Sequence, residues 1–286
     1  MRLEIIKNLC SVDEEKLKRI LYKFLSSHGY KNIKKTNDYI IAEGTYPICL
    51  IAHMDTVFSF PPYKDNFIYD DKKKILWSYY GAGFDDRAGI YAIIEIIKAG
   101  FNPSVIFTTG EEIGGVGAYQ LINDYPICPF NCNALIQLDR MGKQDMVFYQ
   151  CDNPDFENYI GKYGFDLAKG TFTDISIIAP QWGIAAVNLS IGYEDEHTTS
   201  ERLHCDWCDE TIKKVKNIIA GSQSMRSFSY IPAQTVTFNN KDNNSCIFCG
   251  LSSKDNFFIK DSDLGFDYYC CPSCYYQYNV GPKEVI

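Results

Sequence analysis

Apolar positions between Leu17 and Leu25 (Leu17, Ile20, Leu21, Phe24, Leu25) recur three and four apart, the spacing of one face of a helix. Ser11-Val12-Asp13-Glu14 ahead of them reads as a capping box, with Ser11 at the N-cap and Glu14 at N3. His28-Gly29 closes the helix, glycine suiting the position just past its end. Further on the pattern shortens to compact apolar runs at 38–43, 47–53, 104–110, 133–139 and 185–191, which predict strands. Between them, longer segments near 88–99, 115–124, 154–164 and 207–221 predict helices. Strands alternating with helices argue for an α/β domain around a parallel or mixed sheet. In such folds chemistry gathers at the carboxyl ends of the strands. Here the apolar runs end at His53, at Glu111-Glu112 and at Asp139. The polar, aperiodic stretch 232–245 marks a boundary, giving a domain over 1–235 and a small module over 241–286.

Composition narrows the class. A chain of 286 residues that is 46% hydrophobic can bury a full core. Its formal charge of −8 disfavours a nucleic-acid partner, which selects for a basic face. No run of about 18 apolar residues is present, so no membrane span is expected. The charged N-terminal stretch has no apolar signal region. Twelve cysteines without such a signal point to a reducing, cytoplasmic setting where thiols stay free or bind metal.

The strand ends carry the candidate chemistry. In LIAHMDTV, His53 and Asp55 lie two apart and share a side of an extended chain; a plain hydrogen-bonded turn is the alternative. GAGFDDRAGI sets Asp85 and Asp86 between a glycine turn and an apolar helix, where they serve either as a helix cap or as a carboxylate able to bridge two cations. In TTGEEIGG, Glu111 and Glu112 point apart, so one can ligate metal while the other faces an attacking water; a solvated pair is the alternative. Asp139 ends a strand, and His197 lies in the polar loop YEDEHTTSE. Two histidines and three carboxylates converging on one edge can balance two divalent cations and leave a small positive surplus.

In this order, HMD, GFDDRAG, TTGEEIG, LDR and YEDEH resemble the co-catalytic dizinc exopeptidases, a superfamily that includes peptidase T, carboxypeptidase G, acetylornithine deacetylase and bacterial zinc aminopeptidases. The resemblance spans about residues 40–220. It implies a three-layer α/β/α domain with a mixed central sheet. It implies that His53 and Asp139 bind one zinc, Glu112 and His197 the other, and Asp85 bridges them. Glu111 would be the general base and Asp55 the carboxylate that orients His53. A cis peptide often joins the two aspartates in that family, here Asp85-Asp86. Many members insert a lid of about a hundred residues between the last two ligands. Only 57 residues separate Asp139 from His197 here, so a lidless member is expected, and the lid's substrate contacts with it are lost. Arg87, Arg140, Asp174 and Tyr193 are then candidates for the substrate end, with a salt bridge or loop anchor as the alternative use of each.

Cys246-x-x-Cys249 and Cys271-x-x-Cys274 are separated by 21 residues and predict a zinc ribbon holding one structural zinc, with Cys270 competing with Cys271 for the third place. Residues 241–286 hold four lysines and six acids, which favours a docked module or protein contact over nucleic acid. Cys205 and Cys208 read as helix-face packing, and Cys10, Cys49, Cys128, Cys132 and Cys151 as free thiols. The expected activity is a zinc metallopeptidase, with cobalt or manganese as substitutes. Its nucleophile would be a metal-bridging hydroxide and its substrate a peptide cut from the amino end. The alternatives are an N-acyl amino acid amidohydrolase and an idle scaffold that binds partners through its ribbon.

Overall fold

The computed structural model describes residues 1–233, Cys246 and the segments 257–259 and 268–270. The chain divides into two units, Met1–Ala233 and Gln234–Ile286.

The first unit opens with two helices, α1 (Leu3–Cys10) and α2 (Glu14–Ser27). Ser11 is not an N-cap but the residue that closes α1, its backbone N–H reaching Lys7 O. Asp13 caps α2 instead, accepting from Lys16 N at 2.7 Å. The capping-box reading therefore failed by two residues. A carboxylate at Asp13, followed by Glu14 and Glu15, suits the positive end of the helix better than the hydroxyl it displaced.

Eight strands form the central sheet: β1 (Lys31–Lys35), β2 (Tyr39–Glu43), β3 (Tyr46–His53), β6 (Pro103–Thr108), β7 (Ala134–Arg140), β8 (Asp145–Val147), β9 (Asp166–Leu167) and β10 (Ala186–Ser190). Their order is β1-β2-β6-β3-β7-β10-β8-β9. The inner four, β6, β3, β7 and β10, run parallel; β2 and β8 flank them antiparallel. A second sheet, ordered β11-β12-β5-β4, is made of β4 (Phe67–Asp70), β5 (Ile75–Ser78), β11 (Tyr193–Glu194) and β12 (Arg202–His204). These short strands had no alternating signal long enough to find. In the second unit, β13 (Phe257–Ile259) pairs antiparallel with β14 (Tyr268–Cys270). The expected ligands Cys249, Cys271 and Cys274 lie outside the described residues.

Both faces of the central sheet are covered, which makes three layers. Along β3, Ile48, Leu50 and Ala52 join one apolar cluster while Cys49 and Ile51 join the other, the two-residue alternation of a strand. α3 (Phe84–Lys98) and α7 (Cys205–Gly221) supply the first cluster, with α1, α2 and α5 (Pro154–Gly161). α4 (Val116–Asp124) and α6 (Ile175–Trp182) supply the second. Cys205 and Cys208 are buried in the first turn of α7, inside the core. The 57 residues between Asp139 and His197 are spent on β8, α5, β9, α6, β10 and β11, chiefly elements of the same three layers. No helix among the described residues is long and apolar enough to cross a membrane.

Candidate metal centre

The parallel strands deliver their polar ends to one edge. β3 ends at His53; β6 ends at Thr108, just before Glu111-Glu112; β7 carries Asp139. β3 is hydrogen-bonded to β6 on one side and β7 on the other, so three neighbouring strands meet here. Asp85 arrives from the start of α3, whose first turn departs from helical geometry at Asp85 and Asp86, with a cis peptide bond between them. His197 arrives on the loop after β11. Its φ of +62° lies in the left-handed region, where histidine is better tolerated than most side chains.

Each imidazole faces two carboxylates. His53 Nε2 lies 3.0 Å from Asp85 Oδ1 and 3.4 Å from Asp139 Oδ1. His197 Nε2 lies 3.1 Å from Asp85 Oδ2 and 2.9 Å from Glu112 Oε2. Asp85 is thus shared, one oxygen to each half. Ligands held tetrahedrally at about 2.0–2.2 Å from a zinc ion stand roughly 3.3 Å from one another, which is the spacing of these atoms. Glu112 Oε1 is buried with no hydrogen-bond partner, an oxygen still open to a cation. His53, Asp85 and Glu112 bring ligand atoms within 4.8 Å of one another, as do His53, Asp86 and Asp139. Asp86, however, spends its oxygens on the backbone N–H groups of His53 (3.2 Å) and Gly89 (3.0 Å), which leaves Asp85 as the carboxylate between the imidazoles. The donor set fits two divalent cations.

Around these groups runs a shell of supports. Asp55 Oδ1 stands 3.3 Å from His53 Nδ1, opposite the nitrogen that faces Asp85. The same carboxylate accepts the backbone N–H groups of Glu111 (3.3 Å) and Glu112 (3.1 Å), so it touches the imidazole and the backbone of the glutamate pair together. Asp139 accepts from Thr173 Oγ1 (2.8 Å), Gln137 Nε2 (3.0 Å) and the Tyr193 hydroxyl (3.2 Å). Tyr193 is therefore a buried brace. Arg87 is buried too, donating to Leu9 O at 3.1 Å, and Asp174 is buried with Thr108 Oγ1 donating to it. Of the four residues considered for the substrate end, only Arg140 keeps a partly exposed side chain, and its Nη2 faces Asp145 at 3.5 Å.

One residue escaped the sequence reading. Glu201 is fully buried, and its carboxylate accepts from the backbone N–H groups of Ala82 (3.2 Å), Gly83 (2.7 Å) and Asp85 (2.9 Å). Its partners lie more than a hundred positions away in sequence, so no local pattern announces it. The only signal was its place four residues after His197.

The crowding of acids shifts their protonation. Burial, with the Asp139, Asp174 and Asp85 charges adding to it, pushes Glu111 up to about 9. Burial and the Asp85 charge raise Asp139 to about 6. His197 is raised to about 11 by its bonds to Asp85 and Glu112. Burial works against a charged His53, but Asp139, Asp55 and Asp85 more than offset it and hold that imidazole well above its ordinary value. Burial disfavours the Asp85 carboxylate, yet the two imidazoles keep it below the ordinary range. The cluster attracts positive charge, which protons or metal cations can supply.

No family model and no curated protein sequence matches the chain. Solved structures do. Aminopeptidase PepT from Bacillus cereus aligns with 76% of this chain and 97% of its own at a TM-score of 0.61 and 16% identity. A tripeptidase from Staphylococcus aureus covers 76% of this chain and 96% of its own, at 0.59 and 15%. The TET1 peptidase of Pyrococcus horikoshii, which can assemble into a tetrahedron or a large octahedral shell, covers 76% and 98%, at 0.56 and 17%. The chain has the fold of these peptidases; at such identities the likeness is one of fold.

Proposed function

We propose that this protein is a metallopeptidase with two catalytic divalent cations, which removes residues from the amino end of peptides. The observation that carries the reading is the shared Asp85, with one oxygen toward His53 and the other toward His197. His53, Asp139 and Asp85 would hold one cation; His197, Glu112 and Asp85 the other. Zinc is the first choice, with cobalt or manganese as substitutes. Bound there, the cations would polarise the scissile carbonyl and acidify an attacking water. With cations in place of protons in the cluster, Glu111, half-buried beside it, would be ionised and could take the water's proton and pass it to the leaving amine. Asp55 keeps His53 in its ligating orientation.

The acidic surroundings favour a substrate with a free amino group. An N-acyl amino acid would need a cation for its carboxylate. Around the site, Arg87 is turned to Leu9 O and Arg140 to Asp145, while Arg202 is paired with Glu194 and Asp195. The amidohydrolase reading is therefore second. The division into a catalytic domain over 1–235 and a zinc ribbon over 241–286, with one structural zinc and a protein contact through the ribbon, belongs to the same proposal. So does a cytoplasmic setting, which the unbridged thiols of the first unit support.

The test is turnover of aminoacyl and N-acyl substrate panels with added Zn²⁺ or Co²⁺, beside Glu111→Gln. The variant should bind both metals and lose about 10²–10⁴-fold in kcat. Turnover confined to N-acyl substrates would move the assignment to the amidohydrolase. No turnover with both positions filled would leave the idle scaffold.

A further inference from the structure

Glu201 presents a carboxylate to the entry of α3. The three N–H groups it accepts belong to Ala82, Gly83 and Asp85, at the turn where the helix begins. N–H groups at a helix start have no partner within the helix and carry the positive end of its dipole. Gly83, the N-cap residue, has a φ of +66° and no side chain to cap with. Glu201 supplies the missing acceptor from a distant part of the chain. The second sheet brings it there. β12 pairs antiparallel with β5, Arg202 opposite Trp77, so the residue before β12 lies beside the chain that leaves β5 for the α3 turn.

Glu201 also ends the short loop that carries His197. One backbone N–H bond thus joins the residue bearing the shared carboxylate, Asp85, to a segment four positions from the second imidazole. A segment that moved His197 away would withdraw the acceptor from Asp85 as well. We propose that Glu201 is a positioning residue that couples the two cation positions, so that ordering of the His197 loop sets Asp85 to face both sides. This inference rests on the dizinc reading above. It adds that the second position is built jointly with the bridge, so that loosening the Glu201 anchor weakens both positions together.

The replacement Glu201→Gln keeps the shape but turns one acceptor oxygen into an NH2 group, which must then face a backbone N–H. Full-length wild type and variant are stripped with a chelator and titrated with Co²⁺ against a competing indicator. The metal-ligand absorption bands are followed, and any metal in the cysteine-rich tail cancels between the two proteins. The expected result is about 10–100-fold weaker binding at both positions in the variant, with altered absorption bands and a lower kcat at little-changed KM. Two wild-type affinities and an unchanged spectrum in Glu201→Gln would overturn the coupling and leave the dizinc reading intact. A wild type that takes up no cation pair would overturn both. Should the variant not fold, amide exchange in metal-free wild type decides. Protected N–H groups at Gly83 and Asp85 support the clamp, and rapid exchange there refutes it.

Discussion

His53 and His197 face the same carboxylate, yet they are held in opposite ways. His53 is the last residue of a central strand, fully buried, with neighbours on both sides of the sheet. Its far nitrogen is braced by Asp55 and its backbone N–H by Asp86. His197 sits on a loop in left-handed backbone, with 53% of its side chain exposed. One half of the site is therefore made by the fold, and the other is closed onto it by a loop. Rigid support lowers the ordering cost of binding, so the two halves should differ in how firmly they hold a cation.

The sharpest way to break this comparison is to delete each imidazole. His53→Ala leaves Asp55, Asp85 and Asp139 facing one another in a buried cavity, at a cost of about 3–5 kcal/mol. At roughly 2–4 °C per kcal/mol for a domain of this size, thermal melts should fall by about 6–20 °C, with cation binding abolished on that side. His197→Ala removes a half-exposed side chain. It should change the metal-free melting temperature by less than about 3 °C and still lose the second cation. Equal destabilisation by the two variants would show that the loop is as structural as the strand.

A smaller effect comes from the support of His53. Asp55→Asn keeps the shape but weakens the hold on Nδ1 and on the Glu111 and Glu112 N–H groups. Activity should drop about 10–100-fold, with a lesser loss of zinc measured in the same preparation. Near-wild-type turnover would mean that the strand alone orients the imidazole.

The mildest probe is pH. In the metal-free protein, Glu111 is raised from 4.5 to about 9 and His197 from 6.5 to about 11. Both groups bind protons more tightly folded than unfolded. Their stabilisation is complete below the unfolded values and is lost as pH climbs toward the folded ones. Asp55 and Asp85 are lowered, so their contributions are already present above about pH 4 and stay constant through this range. Melts of the chelated protein should therefore fall by a few degrees from pH 6 to 8.5. The rise in melting temperature on adding Zn²⁺ should grow over the same interval, because protons and cations compete for the same atoms. A flat pH response would mean that the acids are relieved by something other than protons.

The strand half of the site was readable in the sequence and the loop half much less so. LIAH, VIFTTG and LIQLD are apolar runs that stop at a polar residue, and a buried parallel strand leaves that trace. His197 lay among seven other polar residues in EDEHTTSE and had no periodicity to place it. β4, β5, β11 and β12 are two to four residues long, too short for an alternation to stand out, and it is they that deliver Glu201. α6 was missed because Pro180 breaks its pattern, although the proline lies in its last turn and leaves most of the helix undisturbed. Tyr193 and Asp174, candidates for the substrate end in the sequence, are buried behind Asp139 and Thr108, which is a tertiary fact that no local pattern carries.

The shared Asp85 also bears on how the chain folds. Asp85 and the four groups around it are drawn from five separate segments between residue 53 and residue 197, and the strands among these segments pair with partners far away in sequence. Contacts of such long range form late and slowly. A half-made chain, or a compact intermediate with its helices in place, would hold at most scattered acids and no pair of positions. Tight uptake of two cations would thus be the closing event of folding, and the rate at which refolding protein captures Co²⁺ would time the completion of the whole first unit.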